Sequence, residues 1–315
     1  MKMHTMQRAA LATFALAALI LSMTATASAQ EWSQPWARDQ ISKSSRHSEW
    51  AQVKHDARTV DTLVVYPETK EKRPVVIVIH EIFGLSDWAQ LLADEVAASG
   101  YIAVAPDLLS GMGPNGGRTN TFAAGAVTEA VSKLPPDQVT ADLNAAADYA
   151  KKLPGSNGKI YVVGFCWGGG QSFRFATNRS DLSAAFVFYG PPPATDAMAK
   201  ITAPVYGFYA GEDARIDATI PATVAAMKAA GKSYDPVTSD GAGHGFMRAG
   251  EAPDASPANK AARDQGFTRL VTLVKEMKSS PMASNPAHNK TVATKKSAVP
   301  ATQCHDSSMP MAGSM

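Results

Sequence analysis

Cysteine is scarce. Only Cys166 and Cys304 occur in 315 residues, and a bridge between them would tie a polar tail to a glycine-rich turn, so no disulfide framework is expected. A surplus of either charge is also missing. Thirty Lys and Arg stand against 28 Asp and Glu, and that balance excludes an electrostatic case for nucleic acid or an anionic membrane as partner. The only long apolar run, residues 9–23, is short for a membrane span, and no second candidate follows. No His/Cys/Asp cluster has metal-ligand spacing. No Gly-x-Gly-x-x-Gly follows a strand-like run, and there is no internal repeat. Neither a metal nor a cofactor is expected.

What is present begins with a targeting signature. Lys2 and Arg8 precede the apolar run, and Ala27-Ser28-Ala29 supplies small residues for a cut before Gln30. Residues 1–29 read as a signal peptide, with cleavage after Ala29. In a bacterium the mature protein would then be periplasmic or secreted, with no membrane attachment left. Residues 30–57 are polar with scattered tryptophans and read as an extended lead-in. Residues 279–315 turn to Pro, Ser, Ala, Met and Lys without periodicity and read as a disordered tail.

Between these segments, residues 58–278 read as one domain. With 45% hydrophobic and 18% charged residues, the chain has enough apolar surface for a core. β-Branched apolar runs at 62–66, 75–80, 102–105, 160–163, 184–189, 204–209 and 233–238 predict strands. Helices are expected over 85–99, 135–153, 170–177, 220–230 and 257–277. The Gly-rich stretch 109–120 reads as a mobile loop. The alternation predicts an α/β class fold, a mostly parallel central sheet with helices on both faces. In such sheets chemistry gathers beyond the carboxyl ends of the strands.

The most informative stretch is Val162-Val163-Gly164-Phe165-Cys166-Trp167-Gly168-Gly169-Gly170. A buried strand runs into Gly-x-Cys-x-Gly and then into a helix. Such an elbow pushes the apex side chain out of the sheet and leaves the next residue's N–H free at the helix start. Cysteine at the apex is a candidate nucleophile, because its thiolate is intrinsically reactive. Asp213 follows the strand-like run 204–209, which favours it over nearby Asp217 as the acid. His244 lies between two glycines after the last run. The order nucleophile, acid, histidine is that of α/β-hydrolases. His244 would move the proton, and Asp213 would set its tautomer. His80 reads as a backbone hydrogen-bonder rather than a metal ligand.

Five segments in order resemble the dienelactone hydrolase (carboxymethylenebutenolidase-like) family of α/β-hydrolases. They are His80-Glu81-Ile82-Phe83-Gly84, Pro106-Asp107-Leu108, the elbow, Asp213 with its flanks, and His244-Gly245-Phe246-Met247-Arg248. The resemblance implies an α/β-hydrolase fold and hydrolysis of small-molecule lactones or esters without a cofactor. It implies a Cys166–His244–Asp213 triad, with Glu81 hydrogen-bonded to the thiol and accepting its proton when substrate arrives. Backbone amides of Ile82 and Trp167 would form the oxyanion hole. Arg248 would meet a substrate carboxylate, and Arg118, the only arginine between the Pro-Asp-Leu segment and the elbow, would be the second such residue. Two other readings stay open: a general carboxylesterase or thioesterase on the same site, and a non-catalytic thiol-sensing or binding module. Oligomeric state is not legible.

Overall fold

The computed structural model describes residues 32–279; the signal-peptide expectation falls outside them, as does all but the first residue of the expected tail. Among the described residues no helix is long and apolar enough to cross a membrane.

Eight strands form one sheet: β1 (Ser48–His55), β2 (Arg58–Val65), β3 (Arg73–Ile79), β4 (Ile102–Pro106), β5 (Ser156–Phe165), β6 (Leu182–Phe188), β7 (Val205–Ala210) and β8 (Tyr234–Ser239). Their order is β1-β2-β4-β3-β5-β6-β7-β8. The β1–β2 and β2–β4 pairs are antiparallel, and every later pair is parallel. The chain leaves β3, β5, β6, β7 and β8 at the same rim, because Ile79 pairs with Gly164, Phe165 with Phe188, Phe188 with Phe208, and Ala210 with Ser239.

Continuous apolar runs suit strands covered on both faces. In β3, Val76 and Val78 face one core while Val75, Ile77 and Ile79 face the other. The first core is closed by α2 (Asp87–Ala98) through Trp88, Leu92 and Val96, and by the last helix, Pro257–Ser279, through Leu270 and Val274. The second is closed by α4 (Pro136–Lys152) and α5 (Trp167–Asn178), which contribute Leu143, Ala147 and Phe173. Ser86 caps α2 by accepting from the Ala89 N–H at 3.3 Å, and Pro occupies the first turn of α4, where its missing N–H costs nothing.

Two segments depart from expectation. The lead-in is not simply extended: it carries α1 (Pro35–Ser42) and the whole of β1. α1 is held to α2 by Asp87, whose Oδ2 accepts from the Gln34 N–H at 2.9 Å and from Arg38 at 2.8 Å. The loop expected to be mobile is pinned instead. Buried Asp107 accepts from the Thr119 hydroxyl at 2.7 Å, the Thr119 N–H at 3.0 Å and the Leu109 N–H at 3.1 Å. A short helix beyond it, α3 (Ala126–Ser132), buries Val127 and Val131. Among the described residues the remaining α-helices are α6 (Ala214–Asp217), α7 (Ile220–Ala229) and α8 (Phe246–Ala249), which makes the closing helix α9.

Candidate active site

Strand β5 turns into α5 at Cys166, whose backbone has φ +55° and ψ −117°. That conformation costs a side-chain-bearing residue on the order of 1–3 kcal/mol and persists only where the surroundings enforce it. Here close packing enforces it. A Cβ on Gly164 would stand 1.9 Å from the Gly168 carbonyl oxygen, and one on Gly168 would stand 2.2 Å from the His80 carbonyl oxygen. The first turn of α5 thus rests directly on the ends of β3 and β5. The Cys166 N–H donates to the Phe188 carbonyl at 3.0 Å, which locks the apex to β6.

Asp213 and His244 arrive from β7 and β8. Asp213 caps α6, with Oδ1 accepting from the Ile216 N–H at 3.4 Å. Its Oδ2 lies 2.5 Å from His244 Nδ1. A carboxylate only accepts, so Nδ1 carries a proton, and in the neutral ring Nε2 is the nitrogen left to accept. Nε2 lies 3.1 Å from Cys166 Sγ, placed to accept the thiol proton. Asp217, the rival acid, lies four residues further on, at the end of α6; the contact to His244 belongs to Asp213.

Burial first, and then the negative charge of Glu81, push the Cys166 thiol up to about 11. The Trp167 and Ile82 backbone amides and the Arg215 guanidinium pull the other way. The sulfur is therefore a neutral thiol near pH 7, with two amides facing it.

Glu81 is almost fully buried, and its partners differ from expectation. Its Oε2 accepts from Arg248 Nε at 2.7 Å and its Oε1 from the Tyr189 hydroxyl at 3.3 Å, so the carboxylate is held by these two groups rather than by the thiol. Arg248 also lies over the Phe83 ring, 4.8 Å from its centroid. Tyr189 was missed as a site residue. It ends a strand-like run, where its aromatic character reads as core. Yet it has φ +39° and sets its ring edge-on to His244 at 5.1 Å. The only sequence signal was its position just before Gly190 and Pro191.

Arg118 is placed elsewhere. Its guanidinium stacks 3.6 Å over the Trp50 ring and lies 3.7 Å from Asp61, on β1 and β2. These contacts include no member of the Cys166, His244 and Asp213 set. Among the described residues no group of His, Cys, Asp and Glu has the arrangement to hold a metal ion.

Comparison with known proteins identifies the family. The profile of the dienelactone hydrolase family matches residues 60–278. A Yersinia pestis protein, provisionally named a carboxymethylenebutenolidase, is 34% identical over 55% of this chain and 68% of its own length. One from Methylorubrum extorquens with the same provisional name is 35% identical over 62% and 70%. A crystal structure provisionally named a dienelactone hydrolase, from Klebsiella pneumoniae subsp. pneumoniae, aligns with a TM-score of 0.64 at 25% identity, covering 74% of this chain and 100% of the other. A profile match spanning the sheet from β2 through α9, on an eight-stranded hydrolase-type sheet, leads to one assignment: this chain belongs to the dienelactone hydrolase family of α/β-hydrolases.

Proposed function

We propose that this protein is an exported, cysteine-dependent hydrolase of small lactones or carboxylic esters, with Cys166, His244 and Asp213 as its triad. The observation that carries this reading is the continuous line from Asp213 through His244 to the sulfur, 2.5 Å and 3.1 Å, at an elbow where two amides face the same atom. His244 Nε2 takes the thiol proton, and the sulfur attacks the carbonyl carbon. An S–C bond forms while the C=O π pair moves onto oxygen, where the Ile82 and Trp167 N–H groups hold it. The tetrahedral species then expels the ring or ester oxygen, which receives the proton from His244. A thioester remains. His244 next deprotonates water, which attacks that thioester, and the departing sulfur regains its proton.

Relatives named for a carboxymethylene-bearing lactone direct the substrate toward a carboxylate, and Arg248 is a planar donor suited to one. A substrate carboxylate would compete with Glu81 for that arginine. Once freed, Glu81 is a second base beside the sulfur. Replacing Glu81 by Gln removes both that base and the charge that opposes thiolate formation. The thiol's titration midpoint, followed by the pH dependence of iodoacetamide alkylation, is then expected to fall below the wild-type position near 11. Turnover of carboxylate-bearing esters should drop more than turnover of neutral aryl esters. No change in either quantity would remove Glu81 from the mechanism.

A panel of aryl esters, thioesters and small lactones, with and without a carboxylate, tests the activity itself. Lactone preference supports the reading, preference for plain esters or thioesters moves the protein to a general esterase, and no turnover at all refutes it. The high thiol pKa weighs against a thiol-sensing role, because oxidants react with thiolate and a neutral thiol responds slowly. Export has its own readout. After expression in a bacterium with a periplasm, the mature protein should be released by osmotic shock and its first residue should be Gln30. An intact Met1 in the cytoplasmic fraction would contradict export.

A further inference from the structure

We infer that His80 is a positioning residue of the oxyanion pocket: its ring N–H orients and polarises the Glu81–Ile82 peptide group, whose opposite end faces the attacking sulfur. The inference rests on the hydrolase reading above and extends it to a residue that touches neither substrate nor thiol.

His80 follows β3 directly and is fully buried. Its Nδ1 lies 2.7 Å from the carbonyl oxygen of Glu81. A carbonyl only accepts, so Nδ1 holds the proton. Nε2 is then the bare nitrogen, and it is buried without a hydrogen-bond partner. A second proton would place an unpaired donor and a full charge in the interior, which agrees with burial lowering the ring's pKa to about 4. The ring is neutral, in one tautomer, across ordinary working pH.

The carbonyl of Glu81 and the N–H of Ile82 belong to the same planar peptide unit. Fixing the oxygen fixes the direction of the N–H. A hydrogen bond accepted at the oxygen also makes the N–H a stronger donor, since bonds in a chain polarise one another. The same ring stacks on the Trp167 indole, with centroids 5.6 Å apart and planes 13° from parallel. The carbonyl of His80 lies against Gly168, where no Cβ fits. One imidazole therefore contacts the peptide group that carries the Ile82 N–H and the side chain of Trp167, whose amide is the other donor, at the junction where β3 meets the start of α5.

A buried ring that only filled space would be replaceable by an apolar group of similar size. His80→Asn and His80→Leu separate the two roles, because the side chains are nearly isosteric and only Asn can donate at the Nδ1 position. With p-nitrophenyl acetate as substrate, Leu is expected to lower kcat by on the order of 10- to 100-fold, below the roughly 10²- to 10³-fold cost of deleting an oxyanion donor outright. KM should stay within about twofold, since the oxyanion forms only after binding. Asn should recover most of the loss. The rate of Cys166 alkylation by iodoacetamide should change far less than kcat, because that displacement generates no oxyanion and feels the Ile82 amide only through the thiol's own titration. Should Leu fail to fold, His80→Phe, which keeps the ring stack and lacks the donor, carries the same comparison. A folded Leu or Phe variant with wild-type kcat overturns the inference, as does an equal loss in the Asn and donor-less variants. A wild-type protein without esterase activity refutes the hydrolase reading instead.

Discussion

Cys166→Ala is expected to lower ester turnover by on the order of 10⁴- to 10⁶-fold, the range seen when a nucleophile is removed from a hydrogen-bonded catalytic set. What remains would come from the two amides and from binding, which stay in place. Cys166→Ser should fall between the two, because a hydroxyl on the same elbow depends more heavily on His244 for activation than a thiol does. Neither change should unfold the protein. Both residues carry a Cβ, so the strained backbone at φ +55° is no worse than before, and the sulfur is partly open to the site rather than sealed in a core. Initial rates on the most rapidly cleaved ester, alongside a thermal melt, decide the matter. An alanine variant within tenfold of wild type would show that another group attacks the carbonyl.

The second large effect concerns folding rather than chemistry. Gly168→Ala is expected to destabilise the protein by about 4 kcal/mol, the upper end of single-residue effects, and so to lower the melting temperature by on the order of 10 °C in a domain of this size. The added Cβ would lie 2.2 Å from the carbonyl oxygen of His80 and 2.6 Å from that of Ile79. Both are backbone atoms at the end of β3, one in its last residue and one just beyond it, and neither can rotate away as a side-chain tip could. Relief requires α5 to lift off the sheet, which also tilts the Trp167 amide away from the sulfur. Gly170→Ala is the control. Its Cβ would meet the Pro191 ring at 3.1 Å, a contact that a small ring shift absorbs, so its melt should lie close to wild type. Equal stability of the two variants would mean that the elbow is looser than its contacts imply.

The elbow and the central strands were legible because their signals are local. Residues 160–163 are apolar on both faces, and Gly-x-Cys-x-Gly admits few turns other than the one formed. β1 offered no such signal. Of its eight residues only Val53 is buried, and Trp50 remains 40% exposed. What makes it a strand is its backbone ladder with β2, a partner not visible in its own side-chain pattern. α1 is similar, since Asp87, some fifty positions away, supplies its anchor. At the site, the residue types pointed to Cys166, Asp213 and His244, while the pairing of Glu81 did not follow from them. Glu81 and Arg248 are 167 positions apart, and no pattern in either segment announces that they meet. Arg118 illustrates the converse. Its place in the chain suggested the site, but the pinned loop delivers it to an aromatic ring on the outermost strand.

The two oxygens of Asp213 are bound in opposite directions, one by the opening turn of α6 and one by the imidazole. A carboxylate fastened at both ends cannot swing. Its hold on Nδ1 works like a hinge pin, leaving rotation about that corner as the ring's remaining freedom. In the proposed cycle the far nitrogen would need only a short arc to serve the sulfur, the departing oxygen and the incoming water in turn. Under that mechanism, catalytic motion would reduce to one small rotation about a stationary point.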